Sequence, residues 1–289
     1  MSEGVDWRRA RTGFAALLGP PLGWFLIFFA VPMAVVWGYS FGTNSGIADI
    51  EISGTFANYA RALEPLYLGI LMKSLAFAAL ATLICLIVGF PVALAISFAP
   101  PNLKTWLLIG VMLPFWTNLL IRTYALIAIL RDEGLLNSGL ELAFGWAGFE
   151  RLSLMNNNFT VMVGLVYVHL PFTVLPLYAA LDRLDRSLLE ASFDLGAGHL
   201  RTIWNIVLPL AAPGIISAVL LTFIPVLGSY LQPDLLGGPD SQMIANVIER
   251  QFKRANDWPF GAALAFMLMY LTLFGIALQS LLKRRERPE

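Results

Sequence analysis

The sequence predicts an all-α membrane protein with six transmembrane helices. Composition is the first reason. Of 289 residues, 58% are hydrophobic and only 13% are charged, and the mean hydropathy is +0.72. A soluble domain carries about 25% charge, so this chain has too little to coat a water-soluble globule. The second reason is where charge is missing. Residues 12–48, 74–103, 152–181, 202–233 and 258–282 carry none, and 105–130 carries Arg122 alone. Each run exceeds the ~20 residues a helix needs to cross ~30 Å of hydrocarbon. The third reason is backbone chemistry. Peptide groups in lipid must be paired within a helix or a closed barrel, and the short alternating segments of a barrel do not occur.

The spans are expected at 15–41, 70–98, 105–130, 158–181, 209–231 and 259–282. The first carries Pro20, Pro21 and Pro32 and is too long for a cleaved signal peptide, so it reads as a span. The second holds the single cysteine, Cys85, which reads as a small buried hydrophobe. One cysteine forms neither a disulfide framework nor a thiolate metal cluster. In the third span Pro114 precedes a polar break, Trp116-Thr117-Asn118, where a freed carbonyl can face a cavity. After it, 131–157 scatters Leu135, Leu136, Leu140, Leu142, Phe144 and Trp146 among charges. It is expected to lie at the interface without crossing.

Nineteen basic and nineteen acidic residues cancel, which removes any nucleic-acid footprint. The cancellation conceals an asymmetry. With both termini on one face, that face collects eleven basic and eight acidic residues, and the other seven and eleven. The positive-inside rule then makes residues 1–14 and 283–289 cytoplasmic tails of a 15–282 transmembrane domain.

The cytoplasmic loop 182–209 is the most informative stretch. Asp185 or Ser187 can cap a short helix with Leu189 and Phe193 on one face, and Gly196 can end it in a left-handed conformation. Leu200, Ile203, Trp204 and Val207 then follow helical spacing until Pro209, which is expected to close a second short helix and open the fifth span. Pattern alone leaves two readings of this apolar stripe, a docking surface for a partner or a helix lying on lipid.

Glu190-Ala191-Ser192, three residues, Gly196, nine residues, Ile206, one residue, Leu208-Pro209 resembles the EAA loop of ABC importer permeases, with Ser192 in place of an alanine. Further stretches are similar to spermidine/putrescine permeases, most of all the B-type subunit. They include Leu113-Pro114-Phe115-Trp116-Thr117-Asn118 with Ile121-Arg122, Leu170-Pro171-Phe172, Asp234-Leu235-Leu236-Gly237-Gly238 and Asp257-Trp258-Pro259-Phe260-Gly261. Where many relatives carry a carboxylate after Gly228, this chain has Ser229.

The resemblance implies a type I ABC importer permease (MetI-like) fold in a bacterial inner membrane. It implies a polyamine or related small organic cation as solute, a second permease of the C type, two ATPase subunits and an external binding protein. The loop would be the coupling helix against the ATPase, through Glu190, Ala191, Asp194, Gly196, Leu200 and Trp204. No GxxxxGK[ST] loop occurs, so ATP and Mg belong on the partner ATPase and no cofactor is expected on this chain. A permease for another solute, a secondary transporter and a membrane enzyme are the alternatives. The last two lack a deep carboxylate, a filter motif or a catalytic constellation.

Path-lining candidates are Trp116, Asn118, His169, Tyr230, Asp234, Asp257 and Trp258. Carboxylates and aromatic faces attract a polycation, through charge and through cation–π contact. Each has a plainer reading: an interfacial Trp116, a His169 bonded to a neighbouring helix, an outer loop with Glu249 that docks the binding protein. Arg122, seventeen residues past Thr105 and about 26 Å along an ideal helix, is read as a snorkelling side chain, against a gate or a loop anchor.

Overall fold

The computed structural model describes residues 11–46, 49–147 and 150–285, so most of the N-terminal tail and the last four residues lie outside it. In chain order the elements are α1 (Arg11–Phe25), α2 (Val31–Tyr39), a hairpin of β1 (Thr43–Gly46) and β2 (Asp49–Glu51), α3 (Ala57–Ala62), α4 (Pro65–Phe98), α5 (Pro101–Trp116), α6 (Leu119–Leu130), α7 (Leu135–Phe144), α8 (Asn158–Leu181), α9 (Arg186–Asp194), α10 (His199–Thr202), α11 (Leu208–Leu227), α12 (Leu231–Leu236), α13 (Ile244–Lys253) and α14 (Trp258–Arg285). Among the described residues, five helical stretches are long and apolar enough to cross a membrane: 15–39, 65–98, 158–181, 199–227 and 258–277. The bent pair 101–116 and 119–144 makes six when counted as one broken span.

Two joints are π turns, Leu26–Ala30 between α1 and α2 and Ile203–Val207 between α10 and α11. Each is followed by one residue and then a proline, Pro32 or Pro209. A proline ring collides with the carbonyl four residues back, here Phe28 or Asn205, the middle residue of each π turn. The wide turn carries that carbonyl past the ring. Pro209 therefore does not separate a short helix from the fifth span. The stretch 199–227 is continuous, so the loop expected to reach 209 ends in a helix that runs on into the membrane.

Contacts divide the chain into residues 65–247 and the flanking 1–64 with 248–289. In the first unit, α4, α8 and α11 pack on one another. The core includes Ala93, Ile96, Val174, Leu177, Val207 and Ala211. Without a hydrophobic drive inside lipid, helices associate through close packing and polar bridges, and both are present. A side chain at Gly214 would collide with Ala180, and one at Gly89 would press on Thr173. Thr173 and Thr222 share a buried hydroxyl hydrogen bond of 2.7 Å between α8 and α11.

In the other unit, Trp37 Nε1 donates to the Tyr270 hydroxyl at 2.7 Å. Asn58 Nδ2 donates to the carbonyls of Ser40 and Gly42, stitching α3 to the end of α2. The first span turns Leu17, Trp24, Ile27 and Phe28 outward, a surface suited to lipid.

The third span departs from expectation. It is not one helix over 105–130. α5 stops at Trp116, and the chain turns by 95° into the α6–α7 stretch. The sequence at the break explains it. Pro114 leaves the Gly110 carbonyl without a helical donor. Thr117 is extended at ψ 149°, and the Asn118 side chain caps α6 by accepting from Leu120 N at 2.8 Å.

Candidate functional site

The loop expected at 182–209 begins at the end of α8. Asp185 Oδ1 accepts from Ser187 N at 3.0 Å and caps α9. That hydrogen bond also holds its carboxyl below the usual carboxylate range. At the other end Gly196 has φ +79°. Gly196 N donates to Phe193 O at 2.9 Å and Ala197 N to Ser192 O at 3.0 Å, the paired bonds of a Schellman cap. The chain reverses there into α10.

The apolar residues of this helix pair divide between two faces. Leu189, Ser192, Thr202 and Val207 are buried. With Leu94 and Phe98 of α4, several of them line a partly open apolar pocket of about 250 Å³. Ser192 and Thr202 bridge α9 to α10 by a buried hydroxyl hydrogen bond of 2.9 Å. The residue that departs from the motif is thus the one that ties its two helices together. Glu190, Ala191, Asp194, Leu200 and Trp204 are exposed, Leu200 at 75% and Trp204 at 69%. Beside them stands Leu195, at 88%, an apolar group outside the stripe expected from helical spacing.

The path candidates fall in different places. Trp116 is exposed at the end of α5 and Asn118 is committed to capping α6. His169 is buried, with Nδ1 2.8 Å from Leu165 O of its own helix. A carbonyl only accepts, so Nδ1 carries the proton in the neutral ring. Its bond runs within α8 and not to a neighbouring helix. Arg122 does not snorkel: it is 6% exposed, and its guanidinium donates to Thr117 at the break.

Tyr230 precedes α12, its carbonyl accepting from Asn246 Nδ2 at 2.8 Å, and Asp234 stands exposed in the first turn of α12. In the other unit, Asp257 pairs with Arg61 at 2.8 Å and accepts from Phe260 N at the start of α14. Trp258 packs edge-on to Phe252 at 5.7 Å. Glu249 pairs with Lys253 one turn on.

After the break, α7 is pinned by Asn137. Its amide donates to Leu152 O at 2.9 Å and accepts from Leu152 N at 3.0 Å. Leu135, Leu142 and Trp146 then form an outward stripe, as an interfacial segment requires. Among the described residues no group of three or more His, Cys, Asp or Glu could hold a metal.

The family model for the inner membrane component of binding-protein-dependent transport systems matches residues 20–288. The chain belongs to that family. It is a multi-pass permease of the ABC importer type. The permease is 41% identical over 249 residues to the spermidine/putrescine transport system permease protein PotB of Escherichia coli (strain K12), covering 86% of this chain and 89% of that one. It is 39% identical over 254 residues to PotB of Haemophilus influenzae, covering 87% and 88%. Its fold matches a chain of a bacterial alginate ABC transporter, solved in complex with a periplasmic protein bound to an alginate pentasaccharide. The TM-score is 0.76 at 18% identity over 97% of this permease and 96% of that chain. The matches cover the loop and the broken span alike, so both belong to the permease's shared region.

Proposed function

We propose that this permease is one membrane subunit of an ATP-driven importer for a polyamine or a related small organic cation. One observation carries the energy-coupling half of the reading. Between the fourth and fifth spans, a helix pair with a left-handed glycine turns Glu190, Leu200 and Trp204 outward. Exposed apolar side chains beside a carboxylate suit a protein groove, and the partner of that chemistry is an ATPase subunit carrying ATP and Mg. Two such subunits, a second permease of the C type and an external binding protein complete the assembly. Both termini lie in the cytoplasm.

The solute half rests on the spermidine/putrescine relatives and on charge. Asp234 is exposed and Tyr230 stands four residues before it. An acidic outer face concentrates cations at the entrance.

The test is co-purification with the ATPase and binding protein, followed by solute-stimulated ATP hydrolysis in proteoliposomes. Di- and triamines are expected to stimulate, and a neutral oligosaccharide is not. Stimulation by the neutral solute alone would reassign the substrate. Uptake without the ATPase would favour a secondary carrier. Within the assembled importer, Glu190→Lys is expected to leave the complex in the membrane while hydrolysis no longer drives uptake.

A further inference from the structure

The third span carries a charged group that the transport reading does not use. Arg122 sits in the first turn of α6, 6% exposed, and among the described residues no carboxylate pairs with it. A guanidinium removed from water without a carboxylate partner is costly, so what it does hold is informative. Nη2 donates to Thr117 O at 3.0 Å and Nε reaches Thr117 Oγ1 at 3.4 Å. Thr117 is itself fixed, with N and Oγ1 both donating to Pro114 O. Its carbonyl lies at the negative end of the α5 dipole, where a cation is favoured.

We propose that Arg122 is a positioning residue for solute passage: its guanidinium latches the Thr117–Asn118 break and sets the angle at which α6 leaves α5. The fork of donors suits the task, because two atoms of one residue are held at once and the α6 backbone is tied to the end of α5. Arg122 is not a ligand for the solute, since a cation gains nothing beside a buried guanidinium. Its effect falls on Trp116 and Asn118, which flank the latched residue. A stated angle there matters because α6 packs on α8 and α12, and α12 begins beside Tyr230. The effect on uptake rests on the importer reading; the angle does not.

The experiment uses the full permease in its assembled complex in lipid nanodiscs. Cys85, the only native cysteine and a buried one, is replaced by alanine, and spin labels are placed by Leu103→Cys on α5 and Ser138→Cys on α7. With Arg122 in place, one narrow distance distribution is expected. Arg122→Met is expected to broaden it or shift its centre beyond the original width. Maximal uptake is expected to fall about tenfold or more, the scale of a lost charge-assisted hydrogen bond. The half-saturating concentration of solute-loaded binding protein stays unchanged. Arg122→Lys, with one charged donor, should recover part of both readouts. Should Arg122→Met fail to assemble, Arg122→Gln decides, being polar but neutral and too short to reach. An unchanged distance distribution overturns the latch whether or not uptake occurs. A broadened distribution with normal uptake overturns the positioning role.

Discussion

Lys104 Nζ lies 2.6 Å from Asp182 Oδ1, joining the first turn of α5 to the end of α8 where the loop to α9 begins. Tyr178 donates its hydroxyl to the other carboxylate oxygen at 3.2 Å. The helix before the 95° break is thus tied at its first turn to the root of the loop that follows α8. The hydrogen bond from Lys104 is the main reason the Asp182 carboxyl stays below the usual range. A carboxylate with a lowered folded value contributes stability at neutral pH, and that stability is lost as the pH falls through the lowered value.

Lys104→Met and Asp182→Asn are therefore each expected to lower stability by about 0.5 kcal/mol, the scale of a partly exposed ion pair. The double variant should lose little more than either single one. Thermal unfolding of the detergent-solubilised permease measures this. Asp182→Asn should also flatten the acid limb of the stability profile below the ordinary aspartate range. Additive losses in the double variant would show that the two side chains act separately.

Gly196 occupies left-handed space with nothing near its missing Cβ, so only backbone strain opposes a side chain there. Gly196→Ala should cost about 1 kcal/mol and misalign α10 relative to α9. Asparagine tolerates this conformation better than alanine. Gly196→Asn is accordingly expected to retain more solute-driven ATP hydrolysis than Gly196→Ala, at equal membrane levels. The reverse order would mean that side-chain size at the turn, and not backbone conformation, sets the coupling.

Much of this was legible in the sequence, and the exceptions have physical causes. Gaps in charge locate membrane segments because charge is expensive in lipid, and spans such as 158–181 match the observed helix end for end. Absence of charge carries no direction, however, so the 95° turn at Thr117 escaped a reading based on apolar length. The local signal was there: Pro114, then Thr117 and Asn118, a helix terminator followed by a capping residue. Pro209 misled in the opposite sense, because a π turn absorbed a proline that normally ends a helix. The Schellman turn at Gly196 was legible, since glycine between two amphipathic stretches has few other uses. Leu195 was not, because its exposure depends on how α9 rotates against α4.

Ser192 stands where the motif usually has alanine, and its hydroxyl meets Thr202 in a buried bridge. Ser192→Ala removes one partner, yet Thr202 Oγ1 still donates to Gly198 O at 3.3 Å. The loss should therefore be about 0.5–1 kcal/mol, with transport near the original rate. Ser192→Leu should be far worse, since the site is buried and the extra volume must displace a neighbour. Purified yield, thermal unfolding and uptake for the two variants separate a lost hydrogen bond from lost space. Equal effects would argue that the hydroxyl, and not the packing, dominates.

Asp234 and Asp257 were grouped by the sequence as outer-loop carboxylates, and their surroundings set them apart. Asp257 holds Arg61 at 2.8 Å and caps α14, while Arg61 also lies 3.9 Å over the Phe260 ring. Its charge is already engaged, so Asp257→Asn, which can still cap, should first cost stability, about 0.5 kcal/mol for the lost ion pair with Arg61. Asp234 is exposed in the first turn of α12, where a carboxylate is favoured by the helix dipole and remains open to a cation. Asp234→Asn is expected to raise the half-saturating solute concentration about fivefold, equivalent to about 1 kcal/mol, without lowering the unfolding temperature. Uptake titrations paired with thermal unfolding distinguish the two roles. A shift in half-saturation for Asp257→Asn at unchanged stability would instead place Asp257 on the solute's route.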